Sequence, residues 1–170
     1  MGDDTGSGVT RLSGVEKIDA GEGNDIIDLT SARYDLTGEN IELQSGAGND
    51  TIWGSSANEI IFGGDGDDIL FGGSGTDTLI GGSGSDTFEF TLSANHDTIT
   101  DFDPTSGDVI HIYGAGQIDE VDYFWEDSAL FLSSENDTTT SDLSISIEFS
   151  AGISDPPDVQ DILSNILIIN

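Results

Sequence analysis

Large apolar side chains recur at every ninth position in the central part of the sequence. The units from Ser45 to Glu89 are SGAGNDTIW, GSSANEIIF, GGDGDDILF, GGSGTDTLI and GGSGSDTFE. The apolar series at the eighth position is Ile52, Ile61, Leu70, Leu79 and Phe88. The acidic series at the sixth position is Asp50, Glu59, Asp68, Asp77 and Asp86. A flexible Gly/Ser linker has no reason to keep an acid and a hydrophobe in register, so the pattern indicates a structural repeat.

Each unit predicts a turn of six residues followed by a very short strand. Glycines concentrate at the first, second and fourth positions, where a sharp turn needs unusual backbone angles. The last three residues are mostly β-branched, aliphatic or aromatic around one inward side chain. Such a unit buries its apolar residue only when copies stack. Two units then make one full turn of a solenoid, with Ile52, Leu70 and Phe88 on one side and Ile61 and Leu79 on the other.

The same spacing continues more loosely on both sides of the central units. Upstream, Ile18 and Ile27 lie nine residues apart and Leu36 follows nine later, but the register is lost around 38–43. Downstream, Ile99 and Ile110 follow at steps of eleven residues. We therefore predict an upstream remnant over 1–13, an all-β solenoid over 14–112 and a different segment over 113–170.

The final segment shows strand-like alternation and predicts a β-rich cap. The alternating stretches are Glu120–Trp125, Ala129–Ser133 and Leu143–Phe149, with a polar hairpin loop at Asn136–Ser141. Asp158–Ile169 fits either a short amphipathic helix or a last strand. Because a solenoid ends in an open apolar interior, we expect the cap to cover Ile99 and Ile110 as strands. Tyr123, Phe124 and Trp125 fit the core of this cap better than a sugar-binding platform.

The strongly acidic charge balance limits the ligands that the chain can bind. The chain of 170 residues carries 34 acidic and 3 basic residues, a formal net charge of −31, and all three basic residues lie within the first 33 positions. A phosphate-binding surface or attraction to an anionic membrane needs Lys and Arg in number, so both are excluded. Like charges in a compact chain repel each other, which predicts a multivalent cation as the remedy. No amino-terminal signal peptide and no membrane-spanning apolar run are visible, and we expect a piece of a longer protein.

Enzymatic motifs are missing. The sequence contains no Cys, no HExxH and no GxSxG, and His96 and His111 are its only histidines. An EF-hand starting at Asp65 would need Glu at its twelfth position, where Thr76 stands. We expect no enzymatic activity from this chain.

The consensus GGxGxDxUx resembles that of the RTX calcium-binding nonapeptides, in which U is a large apolar residue. The segment 97–112, DTITDFDPTSGDVIHI, is similar to the one that follows the repeats in serralysin-type metalloproteases and other type I secreted proteins. The resemblance implies a right-handed parallel β-roll with Ca²⁺ between stacked turns. Hard oxygen donors suit Ca²⁺, and Mg²⁺ tolerates irregular carbonyl cages poorly.

The resemblance also implies ligands. In similar rolls one turn offers its second and fourth carbonyls and its Asp, and the turn two units later offers its first and third carbonyls and its Asp. One implied site is Gly46, Gly48 and Asp50 with Gly63, Asp65 and Asp68. Another is Gly64, Gly66 and Asp68 with Gly81, Ser83 and Asp86. On the other side, Gly73, Gly75 and Asp77 face the turn that ends at Asp97. Further implied ligands are Gly82, Gly84 and Asp25.

Two places depart from the pattern. The turn 54–59 lacks the second and fourth glycines and has Glu59 in place of Asp, opposite Gly72, Ser74 and Asp77. The sequence leaves open whether that turn binds metal. Asp101, Asp103 and Asp108 fit either a capping Ca²⁺ site or a solvated acidic turn.

For function, the resemblance implies a calcium-dependent folding and export module at the carboxyl end of a larger secreted bacterial protein. Its expected partners are several calcium ions and a type I secretion apparatus, its expected location is extracellular or at the cell surface, and it is expected to be monomeric. The final residues 166–170 are similar to the endings of such export signals. The alternative is a calcium-dependent carbohydrate-binding module, similar to those attached to alginate epimerases, or an adhesin segment.

Overall fold

The computed structural model describes residues 15–31, 36, 40–91, 96–113, 122–126, 129–133, 144–149 and 164–169. All regular structure in these ranges is β-strand. The strands are β1 Lys17–Glu22, β2 Ile26–Asp28, β3 Asn40–Ala47, β4 Thr51–Trp53, β5 Asn58–Asp65, β6 Ile69–Phe71, β7 Thr78–Ser83, β8 Thr87–Thr91, β9 His96–Phe102, β10 Val109–Tyr113, β11 Asp122–Glu126, β12 Ala129–Ser133, β13 Ser144–Phe149 and β14 Ile166–Ile169. Over these ranges there is no helix with the length and apolar character that crossing a membrane requires.

From β1 to β10 successive strands alternate between two sheets, whereas β11, β12 and β13 all join the first one. One sheet has the order β1-β3-β5-β7-β9-β13-β12-β11 and the other the order β14-β10-β8-β6-β4-β2. The repeat strands pair in parallel, with Ile52 opposite Leu70 in one sheet and Ile61 opposite Leu79 in the other. The predicted stacking of every second unit and the all-β parallel fold are therefore confirmed.

The core is a double column of the eighth-position side chains. Ile52, Ile61, Leu70, Leu79 and Phe88 are all 0% exposed. Burying an aliphatic or aromatic side chain of this size contributes about 1.5–3 kcal/mol. Because each rung is covered by the rungs above and below it, this contribution depends on stacking.

The nine-residue spacing is interrupted around 38–43, as expected, but the stacking of strands continues there. That region contains the start of β3, and Ile41 and Leu43 are 1% and 0% exposed. β1 pairs with β3 at a longer offset than the repeat strands use, with Lys17 opposite Glu42, and Ile27 pairs with Ile52 at the same longer offset. The chain therefore makes one longer turn and then resumes the solenoid, with Leu36 buried in the core.

The strands of the carboxyl-terminal segment extend both sheets. β13 pairs in parallel with β9, and β12 and β11 follow in antiparallel order. Ile145 and Ile147 are 0% exposed, and Ile147 lies opposite Ile99. β14 pairs with β10, so residues 166–169 of the open helix-or-strand prediction form a strand. The loop 136–141 and the side chains of the aromatic cluster 123–125 lie outside the described residues.

Candidate metal centre

The turns stack with backbone against backbone. Gly64 and Gly66 have φ of 119° and 132°, a region that side chains rarely tolerate. The carbonyl oxygens of Gly46 and Gly48 occupy the space that a Cβ on these two glycines would fill. The second- and fourth-position glycines with positive φ are Gly21, Gly23, Gly46, Gly48, Gly64, Gly66, Gly73, Gly75, Gly82 and Gly84. Carbonyls from one turn therefore point at the next turn, as a cation cage between turns requires.

The sixth-position acids form a ladder along each stack. The Asp50 N–H donates to Oδ1 of Asp68 (2.8 Å), and the Asp68 N–H donates to Oδ1 of Asp86 (3.0 Å). The ladder continues from Asp25 N–H to Asp50 Oδ1 and from Asp86 N–H to Asp108 Oδ1. On the other side it runs from Glu59 N–H to Asp77 Oδ1 and from Asp77 N–H to Asp97 Oδ1. Each accepting carboxylate thus ties two turns together through one of its oxygens. Glu59 joins the ladder only through its N–H, because its own carboxylate accepts from Ser55 in the same turn.

In five of the ladder acids one carboxylate oxygen is left without a partner. Oδ2 of Asp25, Asp50, Asp68 and Asp77 and Oε2 of Glu59 are buried and accept no hydrogen bond. An ionised carboxylate out of water is costly unless a cation or hydrogen bonds compensate it. The described residues include only one Lys, Lys17, which pairs with Glu42 (2.9 Å) away from the ladder. The ladder therefore fits a bound cation.

Backbone carbonyls complete the donor set around these oxygens. Asp68 Oδ2 and the carbonyl oxygen of Gly81 both lie against the point where a Cβ on Gly63 would stand. Asp77 Oδ2 takes the same place beside Gly72, and Asp86 Oδ2 beside Gly81. In the described part of the chain no three carboxylate or imidazole side chains converge on one point. Most ligands would therefore be carbonyls, and an all-oxygen set with few carboxylates suits Ca²⁺.

Several predicted carbonyl ligands also accept hydrogen bonds from the stacked turns. The Asp65 and Ser83 carbonyls accept hydrogen bonds from the N–H groups of Gly48 (2.8 Å) and Gly66 (2.7 Å). The Ser74 N–H donates to the carbonyl of Ser55 in the preceding turn (2.9 Å). Each carbonyl oxygen has two lone pairs, so a hydrogen bond leaves one for a cation.

Burial raises the pKa of five of the ladder carboxyls. It is the largest cause at Asp77, whose pKa rises to about 8, at Asp86, about 7, and at Asp97, about 6. Hydrogen bonds from backbone N–H groups oppose the rise, and neighbouring carboxylates add to it. The pKa of Asp68 and of Asp108 is raised for the same main reason. Carboxyls shift this way when the cost of burial outweighs the hydrogen bonds and positive charges beside them, as it does even at Asp97 next to His96.

The three acids after the repeats, Asp101, Asp103 and Asp108, accept hydrogen bonds from different groups. Asp101 accepts from the N–H groups of Gly81 (3.0 Å) and Gly82 (2.9 Å). Asp103 accepts from Thr105 and Ser106 in its own turn, and those hydrogen bonds lower its pKa. Asp108 accepts from the N–H groups of Asp86 and Asp103. The structure uses Asp101 and Asp108 to cap the last regular turn and does not gather the three side chains into one site.

The sequence analysis missed a second ladder at the fifth position. Asn24 accepts from the N–H of Asn49 (3.0 Å), Asn49 from that of Asp67 (3.2 Å), and Asp67 from that of Ser85 (3.0 Å). On the other side Asn58 accepts from the N–H of Thr76 (2.9 Å). The available signal was a short oxygen-bearing side chain at the fifth position of every unit.

Comparison with known proteins gives one family match. Residues 12–30, 42–69 and 53–88 match the family model described as "RTX calcium-binding nonapeptide repeat (4 copies)". No curated protein sequence matches the chain. Among solved structures, the solution structure of the AlgE6R2 subunit of the Azotobacter vinelandii mannuronan C5-epimerase is similar, with 24% identity over 91% of this chain and 92% of that chain and a TM-score of 0.44.

Proposed function

Because residues 12–30 and 42–88 carry RTX calcium-binding nonapeptide repeats, we propose that this chain is a calcium-dependent folding module. We propose further that it serves the export of a larger bacterial protein of which it is the carboxyl-terminal part. The observation that carries the proposal is the row of buried carboxylate oxygens without partners, from Asp25 to Asp77. A cation set between the turns supplies what these oxygens lack.

Folding and calcium binding would be one event. With a net charge of −31, the chain without calcium repels itself and stays extended. Calcium bound between two turns neutralises their carboxylates and offsets the entropy lost on ordering them. Since Asp68 faces both the preceding and the following turn, occupation of one site orders half of the next. Binding is therefore expected to be cooperative along the solenoid.

Calcium-dependent folding would also allow export. A chain that cannot fold at low calcium remains in a state that a type I apparatus can thread, and it folds where calcium is plentiful. The proposal therefore has the module act outside the cell or on its surface. We propose no catalytic role for it, and the activity of the larger protein would lie in other domains.

The test is circular dichroism of the full chain. After exhaustive chelation we expect a disordered far-ultraviolet spectrum, and millimolar Ca²⁺ should convert it to a β spectrum. Equimolar Mg²⁺ should not, because Mg²⁺ demands a near-ideal octahedron of ligands. A β spectrum that survives chelation would contradict the proposal.

For the export role, a passenger protein fused ahead of the full chain should appear in the medium of a type I secretion host, and one fused to residues 1–113 should not.

Glycan binding is a second candidate, favoured by one surface. Trp53 and Phe71 are register partners and point to the outer face of their sheet, where Ile26 and Ile69 are 71% and 36% exposed. Neighbouring aromatic side chains offer flat apolar area with a polar handle on Trp. A neutral glycan would avoid repulsion by the acidic chain. Binding to a glycan panel in Ca²⁺ that is lost on Trp53→Ala would support this candidate, and binding to none would remove it.

A further inference from the structure

The turn 54–59 departs most from the repeat consensus, but its carbonyls keep the consensus direction. Ser55 and Ala57 stand where the other turns have glycine. Their carbonyl oxygens occupy the space that a Cβ on Gly73 and Gly75 would fill. The carbonyls of Gly46 and Gly48 stand in the same relation to Gly64 and Gly66. Loss of the two glycines has therefore not turned the donor oxygens of this turn away from the next one.

The carboxylate of this turn also keeps its place. Glu59 is 1% exposed, and its N–H donates to Oδ1 of Asp77 (2.8 Å), as in the consensus turns. Its Oε2 is buried and accepts no hydrogen bond. Oε2 and the carbonyl oxygen of Gly72 both lie close to the point where a Cβ on Gly54 would stand. The second oxygen of Asp77 is likewise buried without a partner.

A serine compensates for the extra methylene of Glu59. The Ser55 hydroxyl donates to Oε1 of Glu59, and the Ser55 oxygen in turn accepts from the N–H of Ala57 (3.1 Å). A hydroxyl has a single proton to donate, so it satisfies one carboxylate oxygen and leaves the other. Holding Oε1 also fixes the rotation of the carboxylate, which sets the direction of Oε2.

We propose that the turns 54–59 and 72–77 hold a calcium ion between them, with Glu59 as its carboxylate ligand and Ser55 as the positioning residue for that carboxylate. The inference rests on the proposed function and adds a site to it where the repeat consensus fails. The two buried acids Glu59 and Asp77 lie in stacked turns joined by the hydrogen bond from the Glu59 N–H to Asp77 Oδ1, and neither turn contains Lys or Arg. Without a cation the second oxygens of both side chains would stay uncompensated.

The experiment counts calcium ions on the full chain by native mass spectrometry and measures their affinities by calorimetry. Glu59→Gln removes one negative charge at nearly constant shape and should remove one ion from the count. Ser55→Ala should keep the count at high calcium but weaken one ion by about tenfold or more, as loss of a residue that orients a ligand does. Ser56→Ala is the matched control, since it removes an exposed hydroxyl from the same turn.

The outcomes separate the two proposals. A wild-type chain that binds no calcium would overturn the proposed function. A wild-type chain that binds calcium, together with an unchanged count in Glu59→Gln, would overturn the site at turn 54–59 alone. Should Glu59→Gln fail to fold, Ser55→Ala decides, because equal affinities in Ser55→Ala and Ser56→Ala contradict the role of Ser55.

Discussion

Three sixth-position acids, Asp50, Asp68 and Asp77, accept a backbone N–H with one carboxylate oxygen and leave the other without a hydrogen bond. Asp68 accepts the Asp50 N–H with Oδ1 and leaves Oδ2 for the cation, and its own N–H donates to Asp86. A single side chain therefore contributes to two neighbouring turns. This double use distinguishes Asp68 from acids at the ends of the stack.

We expect Asp68→Ala to lower the number of bound calcium ions more than Glu59→Ala does. The reason is that Asp68 lies between two consensus turns on the same stack. Asp67→Asn is the matched control, because it removes the adjacent exposed charge but keeps an oxygen for the Ser85 N–H. Calorimetric stoichiometry measures the effect, and equal losses in Asp68→Ala and Glu59→Ala would contradict the stacking register.

Without calcium, the folded roll should be more stable at acidic than at neutral pH. The pKa of Asp77 is about 8 and that of Asp86 about 7 in the roll, against 3.8 in an unfolded chain, because burial disfavours their charged forms. The carboxyl groups that face them are Glu59 and Asp97 for Asp77, and Asp68, Asp101 and Asp108 for Asp86. Since the folded pKa is raised, the metal-free roll is most stable below pH 3.8 and loses stability as pH rises from 3.8 to about 8. At neutral pH the extended chain has these carboxyls ionised, so calcium-coupled folding has few protons to displace there.

Circular dichroism of the chelated chain over a pH series measures this linkage. We expect the β signal to increase as the pH falls from 8 to 4, because the roll binds protons that the extended chain does not bind. A chelated chain that is equally disordered at pH 4 and at pH 8 would contradict the raised pKa of these carboxyls.

At the scale of the elements, the turn is the unit that decides whether strands stack. The strands β4, β6 and β8 are only three to five residues long and make few hydrogen bonds each. The carbonyl-to-glycine approach between Gly46 and Gly64 and the fifth-position ladder through Asn49 fix their spacing. Ladder contacts of this kind need no metal, so they set the register that calcium then stabilises.

Gly64→Ala should be far more damaging than Gly21→Ala. Both glycines have positive φ, 119° and 105°, so both variants bear a backbone strain of about 1–3 kcal/mol. A Cβ on Gly64 would also meet the carbonyl of Gly46, whereas nothing lies within 4 Å of a Cβ on Gly21. We expect a modest rise in the calcium midpoint of the circular dichroism transition for Gly21→Ala and no transition at millimolar calcium for Gly64→Ala. Equal midpoints would show that the turns do not approach this closely.

At the scale of the whole molecule, the two columns of core side chains must be covered where the repeats end. Ile99 is covered by Ile147 through the β9–β13 pair, and Ile110 by Ile166 through the β10–β14 pair. Without these strands the last rungs would face water, and the sheets would end in open edges beside them. The segment after the repeats is thus part of the solenoid core and not a mere tail.

Deleting residues 113–170 should prevent folding at millimolar calcium, although every ligand in the repeats is retained. A tail without a structural role predicts an unchanged calcium-induced spectrum instead. Since a deletion of this size is severe, Ile147→Ala tests the same point more gently. It should raise the calcium midpoint while Glu148→Ala, at the exposed neighbour, leaves it unchanged. A truncated chain that folds at the normal midpoint would overturn the cap.

The sequence by itself determined the solenoid. A nine-residue repeat with one large apolar side chain leaves one way to bury Ile52, Ile61 and Leu70 together, which is to stack them, and the alternation of sheets follows from the period. It also determined which acids line the turns, because the sixth position is set by distance from the buried rung. These features are local, and local spacing is what a sequence shows directly.

Tertiary structure decided what depends on contacts between distant residues. The strand at 40–47 was hidden because a longer turn shifted the stacking offset away from that of the repeats, and only pairing with β1 reveals the new register. The fifth-position ladder and the unpartnered oxygens of Asp50 and Glu59 likewise arise from groups one full turn apart. Whether Ser55 disrupts its turn or supports it depends on where its hydroxyl points. That hydroxyl contacts Glu59 and Ala57 of its own turn, and the backbone of Glu59 is in turn held by Asp77, one full turn away.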